Sequence, residues 1–183
     1  VWAINFMRNP AGARRVRGPS LFVRTLEKSV PLGTRHYLLG GSPETLMMLE
    51  RNVRAMFPGV VIVGAYSPPF EPVTEQYVND CASRVRGSAA DIVWVGLGTP
   101  KQDVLGTALA SEAAVLTVNV GAAFDFVAGT IKEPPRWVQN SGFEWLHRLI
   151  TEPRRLWKRY LFGNSRFIWA VVKNRKLTRV RAT

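Results

Sequence analysis

Asp91-Ile-Val-Trp-Val-Gly-Leu-Gly-Thr-Pro-Lys-Gln102 is the stretch on which the fold turns. Residues 92–95 are a short apolar run of the kind that forms a strand buried on both faces. Gly96 and Gly98 then let the backbone turn tightly or approach a ligand with no Cβ in the way. Thr99 is placed to cap a helix, Pro100 to take its first position, and Lys101 and Gln102 to offer donors at its N-terminus. Strand, glycine turn and helix start, in that order, are where an anion sits at the carboxyl edge of a parallel sheet. The same pattern also describes an ordinary strand-to-helix turn, so the flanking sequence has to decide.

The alternation repeats on both sides of that stretch. Upstream, residues 36–39 read as a strand ended by Gly40-Gly41. Ser42-Pro43-Glu44 then supplies a cap, a first-turn proline and a carboxylate at the positive end of a helix dipole. Leu46, Leu49, Val53 and Met56 follow at helical spacing, Pro58-Gly59 stops the helix, and residues 60–63 read as a second strand. Thr74 opens another helix with Val78, Cys81 and Val85 facing inward. Downstream, Val104, Leu105, Ala108 and Leu109 mark a helix, and residues 115–120 a strand ending at Gly121. Nearer the start, residues 1–7 read as helical, and Ser20 is placed to cap a helix running to about Ser29. Apolar strands alternating with amphipathic helices predict an α/β fold, a Rossmann-like parallel sheet with helices on both faces.

Ligands in such sheets bind outside the carboxyl ends of the strands. The turns at Gly40-Gly41-Ser42, at residues 64–66, at 96–102 and at 119–125 are therefore expected to gather there. None matches the dinucleotide fingerprint or the Walker phosphate loop, which argues against a nicotinamide dehydrogenase or a P-loop ATPase. Asp125, between Phe124 and Phe126, reads either as an acceptor for ribose or sugar hydroxyls or as a helix cap. His36 and His147 read as structural, and Cys81 as a buried structural thiol. No Cys/His cluster has metal-ligand spacing and no Asp-x-Asp pair is present, so no cofactor is expected. A diphosphate would be met by arginine forks instead.

Beyond residue 130 the pattern changes to helix-like stretches rich in tryptophan, tyrosine and arginine. Residues 1–130 accordingly read as the Rossmann-like core and 131–183 as a basic helical appendage. A net charge of +12 on 183 residues calls for an anionic partner. Aromatics interleaved with Lys and Arg fit a foot lying on an anionic membrane, each basic residue near the surface adding about 1 kcal/mol. No run approaches the ~20 apolar residues that cross a bilayer. No helix-turn-helix, zinc or RNA-recognition signature is present, so nucleic acid is not the expected partner. The alternative to an enzyme is a non-catalytic basic module binding nucleic acid or anionic lipid. The single cysteine forms no internal disulfide and fits a reducing compartment. The chain opens abruptly at Val1 inside an apolar segment, as expected of a piece of a longer protein.

Several elements together resemble the WecG/TagA/CpsF glycosyltransferases. They are Arg15-Val16-Arg17-Gly18, Leu38-Leu39-Gly40-Gly41, Gly96-Leu97-Gly98-Thr99-Pro100-Lys101-Gln102, Asn119 to Phe126 with Ala128-Gly129, and Glu144-Trp145-Leu146-His147-Arg148-Leu149 with Glu152-Pro153-Arg154. The resemblance covers nearly the whole chain. It implies an inverting, metal-independent transfer from a UDP-sugar, of N-acetylmannosamine type, to an undecaprenyl-diphosphate-linked sugar in cell-surface polysaccharide synthesis, as in exopolysaccharide or teichoic acid. It also implies a peripheral protein on the cytoplasmic face of the bacterial cell membrane, and leaves a homo-oligomer open. Carried over by position, Arg15 and Gln102 are catalytic candidates. Gly40, Gly41, Gly96, Gly98, Pro100, Lys101, Gln102 and Asp125 are expected to bind substrate, with Arg148, Arg154, Arg155 and Arg159 reaching the donor diphosphate from the appendage. Ser20, Asp103, Glu133 and His147 depart from the family's usual residues. The family's Asp-Gly element, whose aspartate is the general base, precedes the segment matching Val1-Trp2-Ala3. The base is therefore expected upstream of Val1, and this chain alone to turn over poorly.

Overall fold

The computed structural model describes residues 16–133 and, beyond them, positions 135, 138, 146, 149–150, 169–171 and 173. The chain divides into two compact units, Val16–Lys132 and a second made of Val1–Arg15 with Glu133–Thr183. The first is built on four strands, β1 (Arg35–Gly40), β2 (Val61–Tyr66), β3 (Ile92–Gly96) and β4 (Leu116–Asn119). All pairings are parallel and the order is β2-β1-β3-β4. The connecting helices are α1 (Gly18–Ser29), α2 (Pro43–Met56), α3 (Glu75–Ser88), α4 (Lys101–Glu112) and α5 (Ala123–Ala128). This is the parallel α/β, Rossmann-like architecture expected from the alternating pattern.

Side chains alternate across each strand, and that sorts the core into two layers. Leu38 and Trp94 face Phe22 and Leu26 of α1, Leu46, Leu49 and Val53 of α2, and Phe124 of α5. Tyr37, Leu39, Val93 and Val95 face Tyr77, Cys81 and Val85 of α3 with Leu105 and Leu109 of α4. The central strands β1 and β3 are the buried ones, whereas β2 and β4 are half-exposed. Cys81 is buried, and burial pushes its thiol up to about 11, as suits an inert structural cysteine.

His36 is fully buried in the first layer and wired in one direction. The Trp94 indole N–H donates to His36 Nδ1 at 3.1 Å. Nε2 therefore carries the proton and faces Ser29 Oγ at 2.7 Å, whose hydroxyl donates to the Leu26 carbonyl at 2.7 Å. Every donor has one acceptor and no place remains for a second proton on the ring. At the opposite, amino edge of the sheet Arg35 forks onto Asp91, at 2.7 and 3.1 Å, joining the starts of β1 and β3.

The structure corrects the sequence reading in three places. Gly64 lies inside β2, which runs on to Tyr66, and not in a turn. A Cβ there would stand 2.4 Å from the Tyr37 ring, so the strand needs glycine to seat that aromatic. Helix α1 starts at Gly18, two positions before the expected Ser20 cap, because Pro19 fits its first turn. Helix α4 starts at Lys101, with Pro100 at the cap position and no cap from Thr99. Ser42 and Thr74 do cap α2 and α3, accepting from Thr45 N at 3.1 Å and Tyr77 N at 3.2 Å. The helix read over residues 1–7 lies outside the described residues. So does most of the appendage, of which Val138, Leu146, Leu149, Ile150, Lys173 and the run 169–171 are helical.

Candidate glycosyl-transfer site

Strand order reverses between β1 and β3, since the chain winds from β1 outward to β2 and then back across to β3 and β4. In an open parallel sheet the crevice at such a switch point, above the carboxyl ends, is where ligands enter. Gly40 and Gly96 end the two strands and are paired directly. Gly40 adopts φ of 122°, and a Cβ on it would meet the Gly96 carbonyl carbon at 2.7 Å. A Cβ on Gly96 would in turn sit 2.6 Å from the Phe124 ring of α5. The two strand ends are thus glycine because they pack tightly, Gly40 against Gly96 and Gly96 against the Phe124 ring.

Next to them Gln102 builds the phosphate-type turn. Its backbone N–H donates to the Gly98 carbonyl at 2.9 Å, while its side-chain Oε1 accepts from the Gly98 N–H at 3.1 Å. This two-bond ring does the work that Thr99 was expected to do as a cap. It also fixes the amide's orientation: Oε1 is committed to Gly98 and Nε2 keeps two protons, with both atoms beside Gly121, whose Cβ position lies 3.7 Å from Oε1 and 3.9 Å from Nε2. The side chain is 7% exposed, so a ligand that takes those protons meets a donor already desolvated. Thr99 and Pro100, joined by a cis peptide bond, are exposed on the turn's outer side.

The N-terminus of α2 is a different case. Ser42 already caps it, and the Glu44 carboxyl is held below its ordinary range by the backbone N–H groups and the Ser42 hydroxyl there. That end carries its own anion. Gly41 contributes through its carbonyl, which accepts from Ser67 Oγ at 2.7 Å. Asp125 stands in the first turn of α5, whose cap position is Ala122, so it is not a helix cap. Its carboxylate accepts from Thr130 Oγ1 at 3.4 Å. Asn119 donates to Asp103 Oδ1 at 3.2 Å, tying the end of β4 to the first turn of α4.

Gly40, Gly41, Gly96, Gly98, Pro100, Lys101, Gln102 and Asp125 therefore all lie at the carboxyl edge, on the ends of β1 and β3 and the turns beyond β3 and β4. Arg15, Arg148, Arg154, Arg155 and Arg159 lie outside the described residues. Sequence reasoning missed Tyr77, in the first turn of α3, and Ser67, in the β2–α3 loop. The loop's Ser67-Pro68-Pro69-Phe70-Glu71-Pro72 run was the available signal, since a connection so rich in proline is stiff.

Fold and turn together define an α/β protein built on an open parallel sheet, with the buried Gln102 beside its switch point. The chain belongs to the glycosyl transferase WecG/TagA/CpsF family, whose model matches residues 1–181. Its activity is thus glycosyl transfer in the synthesis of cell-surface polysaccharide, a reaction that moves a sugar from a sugar-nucleotide donor to a lipid-linked acceptor. Among the described residues no helix is long and apolar enough to cross a membrane.

Proposed function

We propose that this crevice holds the diphosphate and sugar of a UDP-sugar, N-acetylmannosamine in type, for inverting transfer to an undecaprenyl-diphosphate-linked saccharide. The observation that carries this is Gln102, held through Oε1 on Gly98 so that its two amide protons are left to donate at the carboxyl edge of the sheet. In the reaction the acceptor hydroxyl attacks the anomeric carbon from the face opposite UDP, its proton goes to a carboxylate base, and the bond from that carbon to the β-phosphate oxygen breaks. Charge builds on the departing diphosphate, where donors fixed in advance stabilise it without reorganising. Gln102 is one such donor, and Asp125 accepts from donor hydroxyls. No metal or other cofactor takes part. The basic appendage, residues 131–183, rests on the anionic cytoplasmic face of the membrane, where the lipid-linked acceptor is found.

Titration calorimetry with UDP in the presence of a chelator tests the donor assignment. Saturable binding to the folded chain is expected, and its absence from protein that melts cooperatively overturns the assignment.

A further inference from the structure

Lys101 follows the glycine turn and was expected to meet phosphate, but its ammonium is engaged elsewhere. It donates to the Pro69 carbonyl at 3.2 Å and lies 4.4 Å from the centroid of the Tyr77 ring and 5.8 Å from that of Phe70. Pro69 and Phe70 belong to the β2–α3 loop, and Tyr77 to the first turn of α3. Two residues before Pro69, Ser67 Oγ ties the loop to the Gly41 carbonyl. The loop holds three prolines, Pro68, Pro69 and Pro72, so the two ties restrict its course. Phe70 stands at its tip wholly in solvent, with no packing of its own to hold the segment. Tyr77 is buried, and its hydroxyl has no partner among the described residues; its ring face is what it offers Lys101. Partial burial draws the Lys101 ammonium below its ordinary pKa, against which the ring and the carbonyl favour the charged form.

We propose that Lys101 is a positioning residue, a latch that holds the β2–α3 loop against the start of α4 so that the loop is already ordered at the crevice when substrate arrives. It joins the turn after β3 to the loop after β2, just as Ser67 joins that loop to the turn after β1. Three of the four carboxyl-edge connections are thereby locked to one another. The latch rests on the proposed function only for its consequence in turnover; its existence is a property of the unliganded chain.

The test is amide hydrogen exchange of the ligand-free, full chain in the Lys101→Met and Lys101→Arg variants. Methionine keeps the apolar stem and loses the donor and the charge, whereas arginine keeps both. Exchange at Glu71 and Tyr77, whose N–H groups donate to the Pro69 carbonyl at 2.9 Å and to Thr74 Oγ1 at 3.2 Å, is expected to quicken about tenfold in Lys101→Met and to stay near wild type in Lys101→Arg, from the loss of one hydrogen bond and the cation–π contacts. Exchange at Val93 and Leu105 serves as the core reference and is expected not to change. Ser67→Ala, which cuts the other tie and leaves Lys101 intact, is expected to quicken the same amides. Unchanged loop exchange in Lys101→Met overturns the latch whether or not the chain binds UDP. If UDP does bind, its affinity in Lys101→Met should keep the wild-type dependence on salt. A shallower dependence would mean that Lys101 contacts the phosphates directly, and would also overturn the proposal.

Discussion

Replacing Gln102 by glutamate or by alanine separates its two jobs. In Gln102→Glu the carboxylate can still accept the Gly98 N–H, now 3.1 Å from Oε1, and a negative charge at the start of α4 is favoured by the helix dipole. The turn should survive, with stability within about 1 kcal/mol of wild type. The two amide protons are gone, however, and an anion faces the proposed diphosphate. Losing a hydrogen bond to a charged group costs about 1.5–3 kcal/mol, which is about 10- to 150-fold in Kd before repulsion is added. Gln102→Ala removes the acceptor as well, leaving the Gly98 N–H unpaired beside a small void. It should lose about 1–3 kcal/mol of stability along with UDP affinity. Denaturant unfolding measures the first quantity and titration calorimetry the second. Gln102→Glu binding UDP as tightly as wild type would refute the role given to the amide protons. Gln102→Glu proving as unstable as Gln102→Ala would refute the claim that Oε1 holds the turn through Gly98.

Gly64→Ala should destabilise by about 1–3 kcal/mol, because its Cβ would meet the Tyr37 ring at 2.4 Å in a packed layer; denaturant midpoints check this, and a neutral result would mean that the ring moves aside freely. Burial holds His36 below its ordinary pKa of 6.5, so the unfolded chain binds a proton that the folded chain refuses. Stability is then full above pH 6.5 and declines as pH falls below it, by up to about 1.4 kcal/mol per unit until the depressed folded value is reached. His36→Phe should be less stable at neutral pH, with Trp94 Nε1 unpaired, yet lack that acid limb; an unchanged limb would assign it to another group. The Arg35 guanidinium and backbone N–H hold the Asp91 carboxyl down at about 2. Its contribution is present above the ordinary 3.8 and is lost as pH falls through about 2. NMR titration should show that value rise towards 3.8 in Arg35→Gln, and no rise would mean that the backbone N–H alone sets it.

The strands and helices of the core were legible because each obeys a local rule: apolar runs of strand length, Ser42 and Thr74 as caps, Pro58-Gly59 as a stop. That the glycine turns gather at one edge was legible for a related reason, since strand ends in a parallel sheet must share an edge. What escaped the sequence is what long-range contact decides. Gly64 reads as a turn residue until the Tyr37 ring is placed beside it. Thr99-Pro100 reads as cap and first position, but the side chain four residues after Gly98 closes the turn. Lys101 reads as a phosphate ligand because spacing shows where a side chain starts and not where it ends, and the Pro69 carbonyl is 32 residues away. The network of Ser29, His36 and Trp94 escapes for the same reason, being assembled from three elements.

The edge strand β2 bears on how the protein behaves when concentrated or partly unfolded. Among the described residues it pairs only with β1, and its register slips between the partners of His36 and Tyr37, which makes Val63 an extra, bulged residue. Arg54, held by Glu50 at 2.6 Å, also reaches the Ile62 carbonyl at 3.4 Å. A kinked strand with a guanidinium over one of its carbonyls is a poor template for another strand. Had the edge been straight and uncharged, the run from Val60 to Val63 would be an invitation to aggregate. As built, the edge works against pairing with a second copy when the chain is concentrated.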